Sequence, residues 1–534
     1  MTGATRDILA RAVLARGVGY DGLRAAFRWP AEAQVNLATE VCDSWAAAFP
    51  ARTAIVDLRG ETPVSVSYAA LQRLSQQVEA WLRAQGIARG DRVGVLLSQG
   101  PLCAAAHVAV WRMGAISVPL FKLFRHDALA SRLADSGARA VVSDDEGAAM
   151  LRAFDVAVLT EEALPEPVAR PAEATGPRDP AVLIYTSGTT GRPKGALHGH
   201  GVLAGHMPGV EMSHDLLGQE GDVLWTPADW AWIGGLFDVL MPGLYLGVPV
   251  VAARMARFDV DACLRICREG AVRNVFFPPT ALRMLKAAGA RITGLRSVAS
   301  GGEPLGAEML AWGREAFGRE INEFYGQTEC NMVASSCAAL FPARPGCIGK
   351  PVPGFRIGIV DEDGNEVTGE GDVAIARGAG SMMLGYWNAP EETAKKFRGD
   401  WLVTGDRGVW EDGYLRFVGR EDDVITSAGY RIGPAEIEDC LLTHPGVATV
   451  GVVGKPCALR TELVKAYVVR KPGHDPSAEE LQAWVKDRLA SYSYPREIGF
   501  LDALPMTVTG KVIRKQLKAR AAAESEAEAA GEVS

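Results

Sequence analysis

Helical periodicity alternates with short apolar runs along the first half of this chain, and few architectures tolerate that rhythm. Over 67–85 the apolar residues Leu71, Leu74, Val78, Trp81 and Leu82 recur at helical spacing, and Gly86 offers a stop. A short buried strand is predicted at 93–97. A helix follows at 101–113, with Pro101 suited to a first turn and Gly114 to a C-terminal cap. Further strands are predicted at 140–143, 182–185, 223–225, 248–251 and 275–277. Buried strands alternating with helices imply α/β layers around a largely parallel sheet. A chain of 534 residues is too long for one core, so two or more domains are expected.

The character changes near residue 420. From Val424 onward the pattern is α+β over about 100 residues, the length of a small domain. Extended segments are predicted at 447–453 and 464–469, and an amphipathic helix at 478–489. The stretch 519–534, dominated by Ala, Glu and Ser, is expected to be a frayed or disordered tail.

Composition narrows the function. A hydrophobic content of 48% with 22% charged residues excludes fibrous and disordered classes. The net charge of −8, without a dense Lys/Arg block, argues against a general nucleic-acid binder and leaves room for a local phosphate site. Nine cysteines are scattered without a C-x-x-C pair. Cys263 and Cys267 stand at helical i,i+4 spacing, but no partner pair completes four metal ligands. Buried, reduced thiols are expected. Asp7 and Arg6 fall where a signal peptide needs apolar residues, and no apolar run reaches the roughly 18 residues of a membrane span. The expectation is a soluble cytoplasmic protein.

Three segments carry the chemistry. The first is Tyr185-Thr-Ser-Gly-Thr-Thr-Gly-Arg-Pro-Lys-Gly195, an apolar strand running into a loop of Gly, Ser and Thr with one Lys near its end. Glycines let backbone N–H groups approach phosphate oxygens, and the hydroxyls add donors. It is not a Walker loop, because Lys194 is followed by Gly195 rather than Ser or Thr. The second is Phe324-Tyr-Gly-Gln-Thr-Glu329. Here Tyr325 can stack on a base, Thr328 can bond a phosphate, and Glu329 offers the carboxylate that Mg²⁺ favours; an ordinary turn is the competing reading. The third pairs Thr404-Gly-Asp406 with Tyr414-Leu-Arg-Phe-Val-Gly-Arg420, where Asp406 and Arg420 either reach ribose hydroxyls or form surface ion pairs.

Together with Gly429-Tyr-Arg-Ile-Gly-Pro-Ala-Glu-Ile-Glu438 and Pro505-Met-Thr-Val-Thr-Gly-Lys511, these segments resemble the adenylate-forming superfamily of acyl-CoA synthetases, luciferases and peptide-synthetase adenylation domains. The last two look most like the medium-chain acyl-CoA synthetase branch and its acetyl-CoA synthetase relatives. The resemblance implies a large multi-sheet α/β N-terminal domain (1–420) with the ATP and acid sites, and a small mobile α+β C-terminal domain (421–518). Asp422 matches the hinge. It implies an acid–thiol ligase that forms acyl-CoA from a carboxylic acid, ATP and CoA through an acyl-adenylate, releasing AMP and pyrophosphate.

Residue roles follow from the same resemblance. Thr186, Ser187, Gly188, Thr189, Thr190, Gly191 and Lys194 would hold the β/γ-phosphates, Thr328 the α-phosphate, and Glu329 a Mg²⁺ ion. Gly302, Glu303, Pro304 and Tyr325 would flank adenine, with Gly326 and Gln327 in the same ATP-binding motif, while Asp406 and Arg420 fix the ribose. Lys511 matches the lysine that bridges the acid's carboxylate and the α-phosphate. Gly429, with Tyr430 beside it, would let pantetheine pass, and Arg431, Arg460 and Lys486 would meet the CoA nucleotide.

Trp232 matches an acid-pocket tryptophan. Gly326 stands where acetate-specific relatives carry a Trp, which implies a pocket deeper than acetate needs. A short- to medium-chain fatty acid is expected. An aromatic or branched acid, or loading of a carrier protein in place of CoA, is the alternative. Cys330-Asn331 departs from the common continuation of the second motif. No nucleic-acid partner is expected, and a homo-oligomer is compatible with the sequence.

Overall fold

The computed structural model describes the chain except for residues 1–10, 31–32, 125, 187–192, 256, 421–422, 428–429, 458–460, 490–493, 508–510 and 532–534. Two large sheets with parallel centres face one another across a shared core. In the nine-stranded sheet, Thr53–Asp57, Val250–Ala252, Leu224–Trp225, Asn274–Phe276, Ser297–Gly301 and Ile321–Gln327 run parallel side by side. Antiparallel strands close its edges, among them Asn331–Ser335 against Ile321–Gln327. The seven-stranded sheet has Ala157–Leu159, Ala140–Ser143, Arg92–Leu96, Ile116–Pro119 and Pro180–Thr186 in parallel, then turns back through Lys194–Gly199.

The helix Pro101–Arg112 explains how the sheets join. All twelve of its residues are buried, which follows from an apolar sequence without a polar stripe. Its neighbours in the same core come from both sheets: Val93, Val95, Val182 and Ile184 from one, Ala54, Ile55, Leu224 and Val250 from the other. The helix expected at 67–85 is Tyr68–Ala84, started by Ser67, whose hydroxyl accepts the Ala70 N–H at 3.2 Å.

A third, antiparallel sheet of Ile357–Val360, Gly371–Ala376, Trp401–Glu411, Phe397–Arg398 and Tyr414–Arg420 follows. Beyond it a smaller α+β unit is built on Val447–Cys457 paired with Thr461–Arg470. Period-two alternation sorts its side chains. Val450, Val452, Val464, Ala466 and Val468 face the helices Pro434–Leu442 and Ala478–Lys486, while Val453 and Tyr467 face the opposite side.

That opposite side corrects the expected disordered tail. A helix spans Arg514–Gly531 and buries Leu517 and Ala521 against Val453 and Tyr467. Glu524 accepts the Tyr467 hydroxyl at 2.9 Å and pairs with Lys465. Alanine-rich sequence lacks the bulk to advertise a core contact, yet alanine is the best helix former and fits close against a strand. Cys263 and Cys267 lie buried in the helix Val260–Glu269 as free thiols. Among the described residues no cluster of His, Cys, Asp or Glu could hold a metal ion, and no helix is long and apolar enough to cross a membrane.

Candidate active site

The C-terminal ends of the central parallel strands bring the separated segments together, the usual location of sites in open α/β sheets. Ser297–Gly301 leads directly into Gly302, and Ile321–Gln327 leads into Thr328 and Glu329. Gly302 has φ +100°, a conformation that side chains disfavour. Its carbonyl accepts the Lys511 Nζ–H at 3.0 Å, so the lysine of the last motif reaches from the small domain to the edge of the large one. Lys511 is itself tied to Thr507 by two hydrogen bonds: its N–H donates to Thr507 Oγ1 at 3.0 Å, and the Thr507 N–H to its carbonyl at 2.7 Å. Beside Gly302, Glu303 pairs with Arg283 at 2.9 Å.

Asp406 is the convergence point of two motifs. Its Oδ2 accepts the Tyr325 hydroxyl at 2.5 Å and the Gln327 amide at 2.7 Å. The amide of Gln327 also donates to the Thr404 carbonyl at 2.9 Å. Across the antiparallel pair, Asp406 stands opposite Arg420. Burial pushes the Asp406 carboxyl up, and the Tyr325 hydroxyl and the Arg420 charge oppose that rise. Tyr325 thus has its hydroxyl anchored while its ring stays partly exposed.

Where the antiparallel strands Pro180–Thr186 and Lys194–Gly199 pair, Thr186 and Lys194 face each other. Lys194 Nζ pairs with Glu392 at 2.5 Å and lies 5.6 Å from the Tyr386 ring centre. Glu329 is buried, and its Oε1 accepts the Tyr386 hydroxyl at 2.5 Å. Tyr386 and Glu392 had no motif to mark them, since their partners lie 57 and 198 residues away. Ser187, Gly188, Thr189, Thr190 and Gly191 lie outside the described residues, as do Asp422, Gly429 and Arg460.

Other expected residues stand apart from this cluster. Lys486 is exposed at the end of its helix and lies 5.6 Å from the Tyr494 ring centre, within the small domain. Tyr430 and Arg431 contribute backbone to the strand Tyr430–Ile432, which pairs with Ile425–Ser427. Trp232 is partly exposed and meets Phe121 edge-on at 5.4 Å between ring centres.

Gly326 lies against the backbone of its hairpin partner. A Cβ there would fall 1.9 Å from the Asn331 carbonyl oxygen and 2.9 Å from Met332 Cα. The missing side chain makes room for the backbone of the hairpin partner, where the register shifts.

Two surfaces of the domains also meet at Asp439. Its carboxylate lies 3.1 Å from where a Gly306 Cβ would stand. Burial lifts the Glu323 carboxyl to about 8, and the Asp439 charge adds to the rise.

A family model described as AMP-binding enzyme matches residues 42–387, and one described as AMP-binding enzyme C-terminal domain matches 436–511. The chain belongs to the AMP-binding enzyme family. It is an AMP-forming acyl-CoA synthetase, an ATP-using ligase with the α/β large domain and small C-terminal domain of adenylate-forming enzymes. It is 33% identical to the acetyl-coenzyme A synthetase of Bacillus subtilis (strain 168), over 91% of this chain and 90% of that protein. It is also 33% identical to the human mitochondrial acyl-coenzyme A synthetase ACSM4, over 92% and 91% respectively. The crystal structure of a Brucella canis acyl-CoA synthetase superposes with a TM-score of 0.72 at 33% identity, covering 95% of this chain and 99% of that one.

Proposed function

We propose that this synthetase activates a short- to medium-chain carboxylic acid in a groove floored by Gly302 and closed by Lys511, then transfers the acyl group to CoA. The observation that carries this reading is the Lys511 Nζ–Gly302 carbonyl contact. It puts a cation of the small domain beside the segment proposed to flank adenine. The first step brings a carboxylate oxygen onto the α-phosphorus of ATP and expels pyrophosphate. Two anions must approach, so a fixed ammonium between them lowers the barrier by stabilising charge already positioned.

The remaining roles belong to the same proposal. Asp406, opposite Arg420, would grip the ribose hydroxyls while Tyr325 offers its ring to adenine. Thr328 would meet the α-phosphate, and Thr186 and Lys194 the β/γ-phosphates with residues 187–191. Lys194 would then exchange Glu392 for phosphate oxygens. The Glu329 carboxylate suits Mg²⁺ delivered with ATP, because that ion takes one or two carboxylates and fills its remaining positions with phosphate and water oxygens. Bound there, the ion would neutralise charge on the departing pyrophosphate.

The boundary near 420, with Asp422 as hinge, would let the small domain rotate. Gly429 and Tyr430 would then line the pantetheine path, with Arg431, Arg460 and Lys486 toward the CoA nucleotide. An aromatic or branched acid is the second reading, favoured by the Trp232–Phe121 and Phe276–Phe324 ring pairs at 5.4 and 5.3 Å.

The test is Lys511→Ala. Acid-dependent pyrophosphate release should fall by about 100- to 1,000-fold, the scale seen when one charge-stabilising donor is removed. Thiolysis of a supplied acyl-adenylate by CoA should persist. Undiminished pyrophosphate release would overturn the assignment.

A further inference from the structure

A buried acid–base pair lies beneath the ring pair Phe276–Phe324 and has no part in the chemistry described so far. His206 sits in the helix Val202–Ser213, and Asp238 in the π-helical turn Leu236–Leu240, a distortion often found where a helix serves a site. His206 Nε2 lies 2.6 Å from Asp238 Oδ1. The Met332 N–H donates to His206 Nδ1 at 3.3 Å, so Nδ1 is the acceptor and Nε2 carries the proton given to Asp238. That hydrogen bond occupies one carboxylate oxygen only.

The other oxygen, Oδ2, takes no hydrogen bond among the described residues, and the Asp238 side chain retains 11% exposure. It faces Gly234. A Cβ at Gly234 would stand 3.3 Å from Oδ2 and 3.1 Å from Phe276 Cε1, both tighter than ordinary contact, so only the absence of a side chain keeps a narrow gap open beside the carboxylate. Gly234 itself is partly exposed, two residues beyond Trp232.

A run of packed residues lies between this gap and the lysine. Phe276 lies 5.3 Å from Phe324, Phe324 packs on Gly301, and Gly301 precedes Gly302, whose carbonyl holds Lys511. In the proposed groove, an acid activated at the Lys511 end would run along Phe324 and Phe276 with its far end toward Asp238. An anionic oxygen buried at the end of an apolar groove is costly unless something donates to it.

We infer that Asp238 is a specificity-determining residue, and that the preferred acid carries a hydrogen-bond donor, a hydroxyl or amino group, at the end remote from its carboxylate. This rests on the proposed adenylation groove and sharpens its substrate class. His206 keeps Oδ1 turned inward and leaves Oδ2 for the substrate. The lone acidic residue within the apolar stretch 233–246 is its trace in the sequence.

The experiment compares matched acids that differ by one group: butyrate with 4-hydroxybutyrate, and benzoate with 3-hydroxy- and 3-aminobenzoate. Pyrophosphate release and CoA-dependent AMP formation are measured for each. In at least one pair the donor-bearing acid should show a kcat/KM higher by about 10- to 100-fold, the scale of a hydrogen bond to a charged group. Asp238→Asn keeps an oxygen for His206 and turns the free position into a donor, so the preference should collapse to within about threefold while KM for ATP is unchanged. Gly234→Ala leaves the acid–base pair intact and fills the gap, so it should erase the same preference, and it decides the matter should Asp238→Asn fail to fold. Equal turnover of both members of every pair, or a preference that survives both variants, overturns the inference alone. Pyrophosphate release with no acid of any pair overturns the ligase groove and this inference with it.

Discussion

Asp406→Ala and Asp406→Asn together measure how the adenylation groove is braced. Two donors, the Tyr325 hydroxyl at 2.5 Å and the Gln327 amide at 2.7 Å, converge on a single oxygen, Oδ2. A hydrogen bond to a charged group contributes about 1.5–3 kcal/mol. Alanine removes both and leaves two partly buried donors without their acceptor, so the expected loss is about 3–5 kcal/mol. Asparagine can place its carbonyl oxygen at the Oδ2 position and still accept both. Neutral bonds are about half as strong. The amide also avoids the desolvation that raises the Asp406 carboxyl. Its loss should therefore be about 1 kcal/mol. Urea unfolding followed by intrinsic fluorescence reads these losses as lower midpoints at unchanged slope. With asparagine, KM for ATP should still rise, because the charge facing Arg420 is gone. Equal losses for the two variants would refute the reasoning, since charge rather than convergent bonding would then hold the strands together.

Three further outcomes follow from the same geometry. Gly302→Val forces a β-branched residue into φ +100° with a Cβ about 3.5 Å from Lys511 Nζ, so adenylation should fall at least 10-fold while thiolysis of supplied adenylate is kept; equal loss of both half-reactions would refute it. Glu323, lifted to about 8 by burial with Asp439 beside it, holds a proton in the folded state that the unfolded chain releases near 4.5. Its contribution to stability is therefore full at low pH and lost as pH rises through that window, and Glu323→Gln should flatten the decline; urea midpoints with an unaltered pH slope would count against this. Glu524→Ala, which strips the Tyr467 hydroxyl and Lys465 of a shared partner, should cost the small domain about 1–2 kcal/mol and expose the last helix to proteases, and wild-type resistance would contradict the packed tail.

Much of the fold was legible because its signals are local. The run 140–143 reads as a buried strand and is one, and Ser67 marks the start of its helix by a cap made three residues away. The candidate segments stood out because Gly and hydroxyl residues offer donors, and carboxylates acceptors, within a short span. Direction was not. No residue pattern foretold that a Cβ at Gly326 would point at the Asn331 carbonyl. The tail read as disordered because Ala and Glu advertise no core, although Ala521 and Glu524 find their partners on the adjacent strands.

Sequence alone marked the segments proposed to meet phosphate, ribose and acid, because residue chemistry and period-based patterning travel with the chain. Tertiary structure decided which of them meet. Lys511 and Gly302 are 209 residues apart, and His206 and Asp238 are 32 apart on two separate helical segments. Such pairings depend on how packed layers set the distance and orientation between elements, and no local preference encodes that.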